Sequence, residues 1–158
     1  MTFGDLFQQW GLTNIKLTVG FASAEFQPTE DDQTAAWDMY VELLTRISTQ
    51  PLQSGTGDEK AALSSVYSLF GTTRDILKEK GRRASQFTKV AIIVLNQIIR
   101  PFTAKWHRKQ LEGAFDCTEE CSEFRAELKE VQSWLRSYCR LLADMAKVED
   151  LTAITYDM

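Results

Sequence analysis

The sequence predicts a mainly α protein: a helical bundle of about four main helices, kinked at Pro101, with a small β-strand or hairpin near the N-terminus. Three observations predict it. Phe124, Leu128, Val131, Leu135, Tyr138, Leu142 and Met145 alternate steps of four and three, a heptad seam that suits an antiparallel bundle. Residues 85–99 are apolar nearly all round, as a helix packed on several sides must be. Capping residues, prolines and glycines punctuate the rest at helical lengths.

From the N-terminus, Phe3, Leu6, Phe7 and Trp10 follow helical spacing, so Thr2 to Trp10 reads as a short amphipathic helix closing one end of the core, stopped at Gly11. Residues 12–28 carry the β signal. Ile15, Leu17, Val19 and Phe21 alternate with Lys16, Thr18 and Gly20; the phase then slips, and Ala22, Ala24 and Phe26 continue it. A bulged strand and a tight hairpin both fit, with Gly20 at the irregular position. A lone strand leaves half its backbone groups unpaired, so it needs a partner in this chain, in a second copy or in another protein.

The main helices are expected at 29–50, 58–80, 85–110 and 117–147, within one helical domain spanning 1–158. Thr29 followed by Glu30, Asp31 and Asp32 is a capped, acid-rich helix start. Ala36, Tyr40, Leu43, Leu44 and Ile47 make its apolar face, and Trp37 and Val41 widen it. The run from Pro51 to Asp58 is a connector: its glycines lack the spacing and the G-K-S/T of a phosphate loop. Asp58 caps the second helix, Gly71 is placed for a bend within it, and Gly81 ends it. Ser85 is the expected cap of the central helix, and Asp116 or Thr118 that of the last. Pro101 lacks the N–H that would bond the Gln97 carbonyl, so a kink follows Arg100, or Pro101 opens a new helix. The tail from Glu149 docks in part.

Charge is segregated along the chain. Residues 1–73 carry three Lys/Arg and nine Asp/Glu, residues 74–109 ten and two, and residues 110–158 five and eleven. Either the basic middle third is a surface for phosphate, nucleic acid or an acidic partner, or it packs beside the acidic thirds and balances within the fold. Balance within the fold is the expectation. Cys117, Cys121 and Cys139 are an odd number, and residues 1–12 lack a basic stretch followed by an apolar run. We read reduced thiols and a cytoplasmic protein with no export signal. The longest apolar run, Val90 to Leu95, is far too short to span a bilayer.

Chemistry-bearing residues are few. Cys117 and Cys121 share a helix face, but the only histidine lies elsewhere in the sequence, so no metal site and no cofactor are expected. Lys89, Asn96, Arg100, Thr103 and His107 fall on one face of a continuous helix. Arg82 and Arg83 form a basic turn placed to bind an anion at the next helix N-terminus.

The spacing Arg100-x6-His107 resembles the arginine–histidine motif of HEPN domains, small all-helical proteins of bacterial toxin and antiviral systems, many of them metal-independent ribonucleases. Pro101 stands where such motifs usually carry a polar residue. The phrase L-N-Q-I-I-R-P-F-T-A-K-W-H is also similar to a segment of uncharacterised bacterial helical proteins, some near defence genes. The HEPN resemblance implies two copies of the motif meeting at a dimer cleft, with His107 as acid/base and Arg100 as phosphate clamp. Those are the roles that an imidazole near neutral pKa and a guanidinium suit. Lys105, Arg108 and Lys109, with Arg82, Arg83 and Lys89, would then supply a sequence-neutral nucleic-acid track.

The unpaired strand, the segregated charge and the lack of a complete catalytic constellation favour a non-enzymatic helical interaction module. It would be an accessory or regulatory subunit of a bacterial defence or toxin system, partnered by another protein or by itself. A dimeric HEPN-like ribonuclease is the first alternative, and an RNA-binding module without cleavage the second.

Overall fold

The first four helices of the chain each begin where a side chain satisfies free N–H groups. The computed structural model describes residues 1–46 and 58–156. Thr2 and Asp5 form a capping box opening α1 (Phe3–Gln9), which buries Phe3, Leu6 and Phe7. Gly11, at φ 76°, turns the chain after it, in a region that costs a residue with a Cβ.

No strand exists among the described residues, and the β element expected over 12–28 is corrected. Thr18 caps a short helix, α2 (Val19–Ser23), and an isolated bridge joins Thr2 to Glu25. Val19, a supposed inward residue, is 86% exposed, whereas Ile15 is buried. The backbone of the segment finds its partners elsewhere. The Gln97 amide accepts from the Lys16 N–H and donates to the Lys16 carbonyl, both at 2.8 Å, while Phe3 N–H donates to Ala24 O and Phe26 N–H to Met1 O. A strand partner is therefore not required.

A second capping box, Thr29 with Asp32, opens α3 (Glu30–Leu44). This helix ends at Thr45, short of the expected boundary at residue 50; Ile47 and the connector at 51–57 lie outside the described residues. Asp58 caps α4 (Glu59–Tyr67) through the N–H groups of Lys60 and Ala61. The expected 58–80 helix is two helices: the chain breaks at Ser68, not at Gly71, before α5 (Leu69–Lys80). Gly81, at φ 70°, ends α5 and leads into a 3-10 turn, Gly81–Arg83.

The central helix α6 (Ser85–Val94) runs through a π turn, Leu95–Ile99, into α7 (Arg100–Leu111). The irregularity expected at Pro101 thus lies one turn earlier. Arg100 N–H bonds the Leu95 carbonyl, and the wider turn makes room for a proline ring that collides with the Gln97 carbonyl in α register. After a 3-10 turn at Ala114–Asp116, α8 (Thr118–Ala146) buries all seven residues of the heptad seam. Cys117 is its N-cap residue, without a side-chain bond, so neither Asp116 nor Thr118 caps it. Lys147 closes it in the left-handed region at φ 58°.

The core lies where α3 packs on α8, α5 and α6, and α7 lies against α4 and α8. The tail is pinned by Tyr40. Its hydroxyl donates to Glu149 O and accepts from Leu151 N–H, and α9 (Thr152–Tyr156) follows with Thr152 fully buried. No helix is long and apolar enough to cross a membrane among the described residues.

Candidate functional site

The candidate site lies on α7 and the α4–α5 junction. Asn96, one turn before Arg100, accepts a hydrogen bond from Arg100 Nε at 3.1 Å. The guanidinium lies 4.8 Å from the centre of the Phe70 ring, a cation–π contact. His107 sits two turns further along, edge-on to Tyr67 with ring centroids 4.8 Å apart. Tyr67 in turn meets Phe70 at 5.6 Å. The order in space is therefore Arg100, Phe70, Tyr67, His107. Thr103, between the two on the same stripe, is buried and turns its hydroxyl back to Ile99 O.

Arg100 and His107 share a face, as the spacing predicts, but they do not converge. Two helical turns separate them by roughly 10 Å along the axis. Each is held by its own aromatic ring, and no hydrogen bond joins them. Among the described residues no carboxylate orients the imidazole, a support that a general base normally has. Arg100 has donors beyond Nε with no protein partner among the described residues, next to a Tyr67 that is 52% exposed. The arrangement can accept an anion or a partner carboxylate at Arg100 and pack an apolar group against Tyr67.

The basic track divides. Lys105 is bound by Glu123 and Glu127 of α8, and Lys109 by Glu120 and Glu123. Both ammonium groups also lie over the Trp106 ring, whose Nε1 donates to Glu127 at 2.8 Å. Hydrogen bonds to Glu127 and then Glu123 hold the Lys105 ammonium above its usual pKa, and the Lys105 contact first, then Lys109, holds Glu123 below its own. These two lysines balance charge inside the fold. Arg108 is 85% exposed and, among the described residues, has Glu112 alone as an ionic partner, at 3.6 Å. Lys89 is exposed with its ammonium 5.6 Å from the Phe3 ring centre.

Arg82 and Arg83 are exposed, with no ionic partner among the described residues. They do not frame an anion site at the start of α6, because Asp32 occupies it. Its Oδ1 accepts from Phe87 N–H at 3.0 Å, and Ser85 makes no cap. The sequence places Asn96 on the site's face but does not show Tyr67 and Phe70 there, which come from the end of α4 and the start of α5. The available signal was an aromatic pair at i and i+3 beside a helix break.

Comparison with known proteins gives no family model, no curated protein and no solved structure that matches this chain.

Proposed function

We propose that the chain is a non-enzymatic helical interaction module, an accessory or regulatory subunit that binds a protein partner through the α7 face. The carrying observation is the exposed Tyr67 beside an Arg100 that is braced by Phe70 and Asn96 and keeps open donors. Tyr and Arg supply most of the strong anchors in protein interfaces, and a pre-braced Arg loses less freedom on binding. Ile92, 43% exposed and one turn before Asn96, extends the same surface. The segregated charge supports the reading in part, through the open cations; the unpaired strand gives it no support, since that segment is satisfied within the chain. A setting in a cytoplasmic bacterial defence or toxin system rests on the Arg100-x6-His107 resemblance.

A second reading, the HEPN-like ribonuclease, draws on one observation: Arg100 and His107 share an accessible face that a second copy can approach. One experiment separates the readings. RNA is incubated in EDTA with wild type, His107→Ala and Arg100→Ala, each checked for folding, and RNA binding is followed against salt. The interaction module predicts no cleavage and no salt-steep binding, with partner capture lost in Tyr67→Ala and Arg100→Ala. Cleavage abolished in both Ala variants would replace it with the ribonuclease. Binding without cleavage, lost in Arg100→Ala, would replace it with an RNA-binding module.

A further inference from the structure

The strongest feature outside the α7 face is a groove of about 510 Å³ between α3 and α5. Its α3 wall carries Trp37, Asp38, Val41 and Glu42, and its α5 wall carries Asp75 and Glu79. Trp37 and Val41 are spaced one turn apart and are 45% and 39% exposed, on a helix that packs against α5, α6 and α8. The sequence pattern counts both as core, and the fold leaves both uncovered.

The groove is acidic beyond what the fold neutralises. Lys80 holds Asp38 at 3.1 Å, and Arg46 holds Glu42 at 2.6 Å. Asp75 has no ionic partner among the described residues. Glu79 is 71% exposed and touches Lys80 only at 3.6 Å. Among the described residues, Asp75 is therefore open beside an exposed indole, and Glu79 shares Lys80 with Asp38.

The complement lies on the same chain, one turn away. The 3-10 turn Gly81–Arg83 is exposed at every residue, and Arg82 and Arg83 have no ionic partner among the described residues. The tip is firmly based. Ala84 beneath it is fully buried, the Thr29 hydroxyl oxygen lies 3.3 Å from Arg83 O, and Asp32 ties down the following helix. Gly81, at φ 70°, sends the chain on toward α6, and neither arginine lines the groove of its own copy.

We propose that two copies of the chain pair by exchanging tips, Arg82–Arg83 of each docking in the α3–α5 groove of the other. The guanidinium groups meet Asp75 and Glu79, in the planar geometry that favours arginine over lysine, and one stacks on Trp37. Arg82 follows Glu79 by three residues, so tip and groove are neighbours at one end of α5. A two-fold axis there satisfies both contacts at once and closes the assembly as a dimer. A second copy is favoured over another basic partner because the open Asp75 and the weakly paired Glu79 match the two open guanidinium groups of the tip. The inference is independent of the α7 face.

The test uses the full chain. Solution mass by light scattering or sedimentation equilibrium is measured over a range of concentration in low and high salt. Wild type is expected as a dimer in low salt, falling to monomer mass in high salt as the charges are screened. The doubly reversed variants Arg82→Glu with Arg83→Glu, and Asp75→Lys with Glu79→Lys, are each expected at monomer mass, with unchanged circular dichroism. An equal mixture of the two restores the dimer, because both tip–groove contacts become attractive again. If a reversal disturbs folding, the neutral pairs Arg82→Gln with Arg83→Gln and Asp75→Asn with Glu79→Gln replace it, and each is expected to lose the dimer. A wild type that stays monomeric throughout overturns the proposal. So does a dimer that survives a reversal, or a mixture that stays monomeric.

Discussion

The Asp32 carboxylate, fully buried, accepts a hydrogen bond from the backbone N–H of Phe87 at 3.0 Å, and so caps a helix 55 positions away. Its other oxygen accepts from the Thr29 N–H at 2.8 Å and the Thr29 hydroxyl at 3.0 Å. One side chain thus starts two helices and locks α3 to α6. Truncating it leaves buried donors unpaired. Asp32→Ala is expected to cost about 3 kcal/mol, read from the shift of a urea unfolding midpoint, with Asp32→Asn losing less. A loss under about 1 kcal/mol would show that water replaces the carboxylate freely.

Tyr138 presents the opposite case. Its hydroxyl is buried in the heptad seam with no hydrogen-bond partner among the described residues, and burial holds its pKa far above the usual value. Removing an unsatisfied oxygen removes a desolvation penalty. Tyr138→Phe is expected to leave stability unchanged or raise it by up to about 2 kcal/mol. A clear fall in thermal midpoint would mean that an ordered water serves the hydroxyl.

The ladder between α7 and α8 sets a pH window. Glu123 is held below its usual 4.5, so its stabilisation is present above that value and is lost as pH falls through the lower folded value. Lys105 is held above its usual 10.5, so its stabilisation is present below that value and is lost as pH rises through the higher folded one. The stability gap between wild type and Lys105→Met should be flat across the window and shrink below 4.5. A gap unchanged down to about pH 3 would contradict the assignment. Both groups are substantially exposed, so salt should narrow the gap throughout.

The three thiols should react in order. Cys117 is exposed; Cys121 is half-buried, with its sulfur 3.3 Å from Phe115 O and its pKa raised by burial. Cys139 is buried in α8, and burial pushes its thiol well above the usual range. Maleimide labelling followed by intact mass should add one group quickly, a second slowly and the third only in denaturant. Early labelling of Cys139 would show that the α8 seam opens readily.

Much of the candidate site was legible. Asn96, Arg100 and His107 fall on one stripe because positions three and four apart share a face, and Arg100 still bonds Asn96 across the π turn. What that stripe faces was not legible. Tyr67 and Phe70 reach it only because the chain breaks at Ser68 and packs α4 against α7. Charge pairing shows the same division. A run of cations near a run of acids says nothing of register, and only the apposition of α7 on α8 assigns Lys105 and Lys109 to carboxylates while leaving Arg100 open.

Features decided within one or two turns of chain could be read directly from the residues. The capping of α4 by Asp58, the stops at Gly11 and Gly81 and the α8 seam all depend on neighbours in sequence. Tertiary structure decided the rest. Residues 12–28 alternate like a strand, yet the Gln97 amide and the backbone near Met1 satisfy their polar groups, so Val19–Ser23 is free to coil. Ser85 is a fitting cap, yet Asp32 of α3 takes the position. Trp37 and Val41 extend an apolar face, yet both stay partly exposed, at 45% and 39%. In each case the outcome depends on which distant group arrives to satisfy a backbone donor or bury a side chain, and local sequence does not encode that arrival.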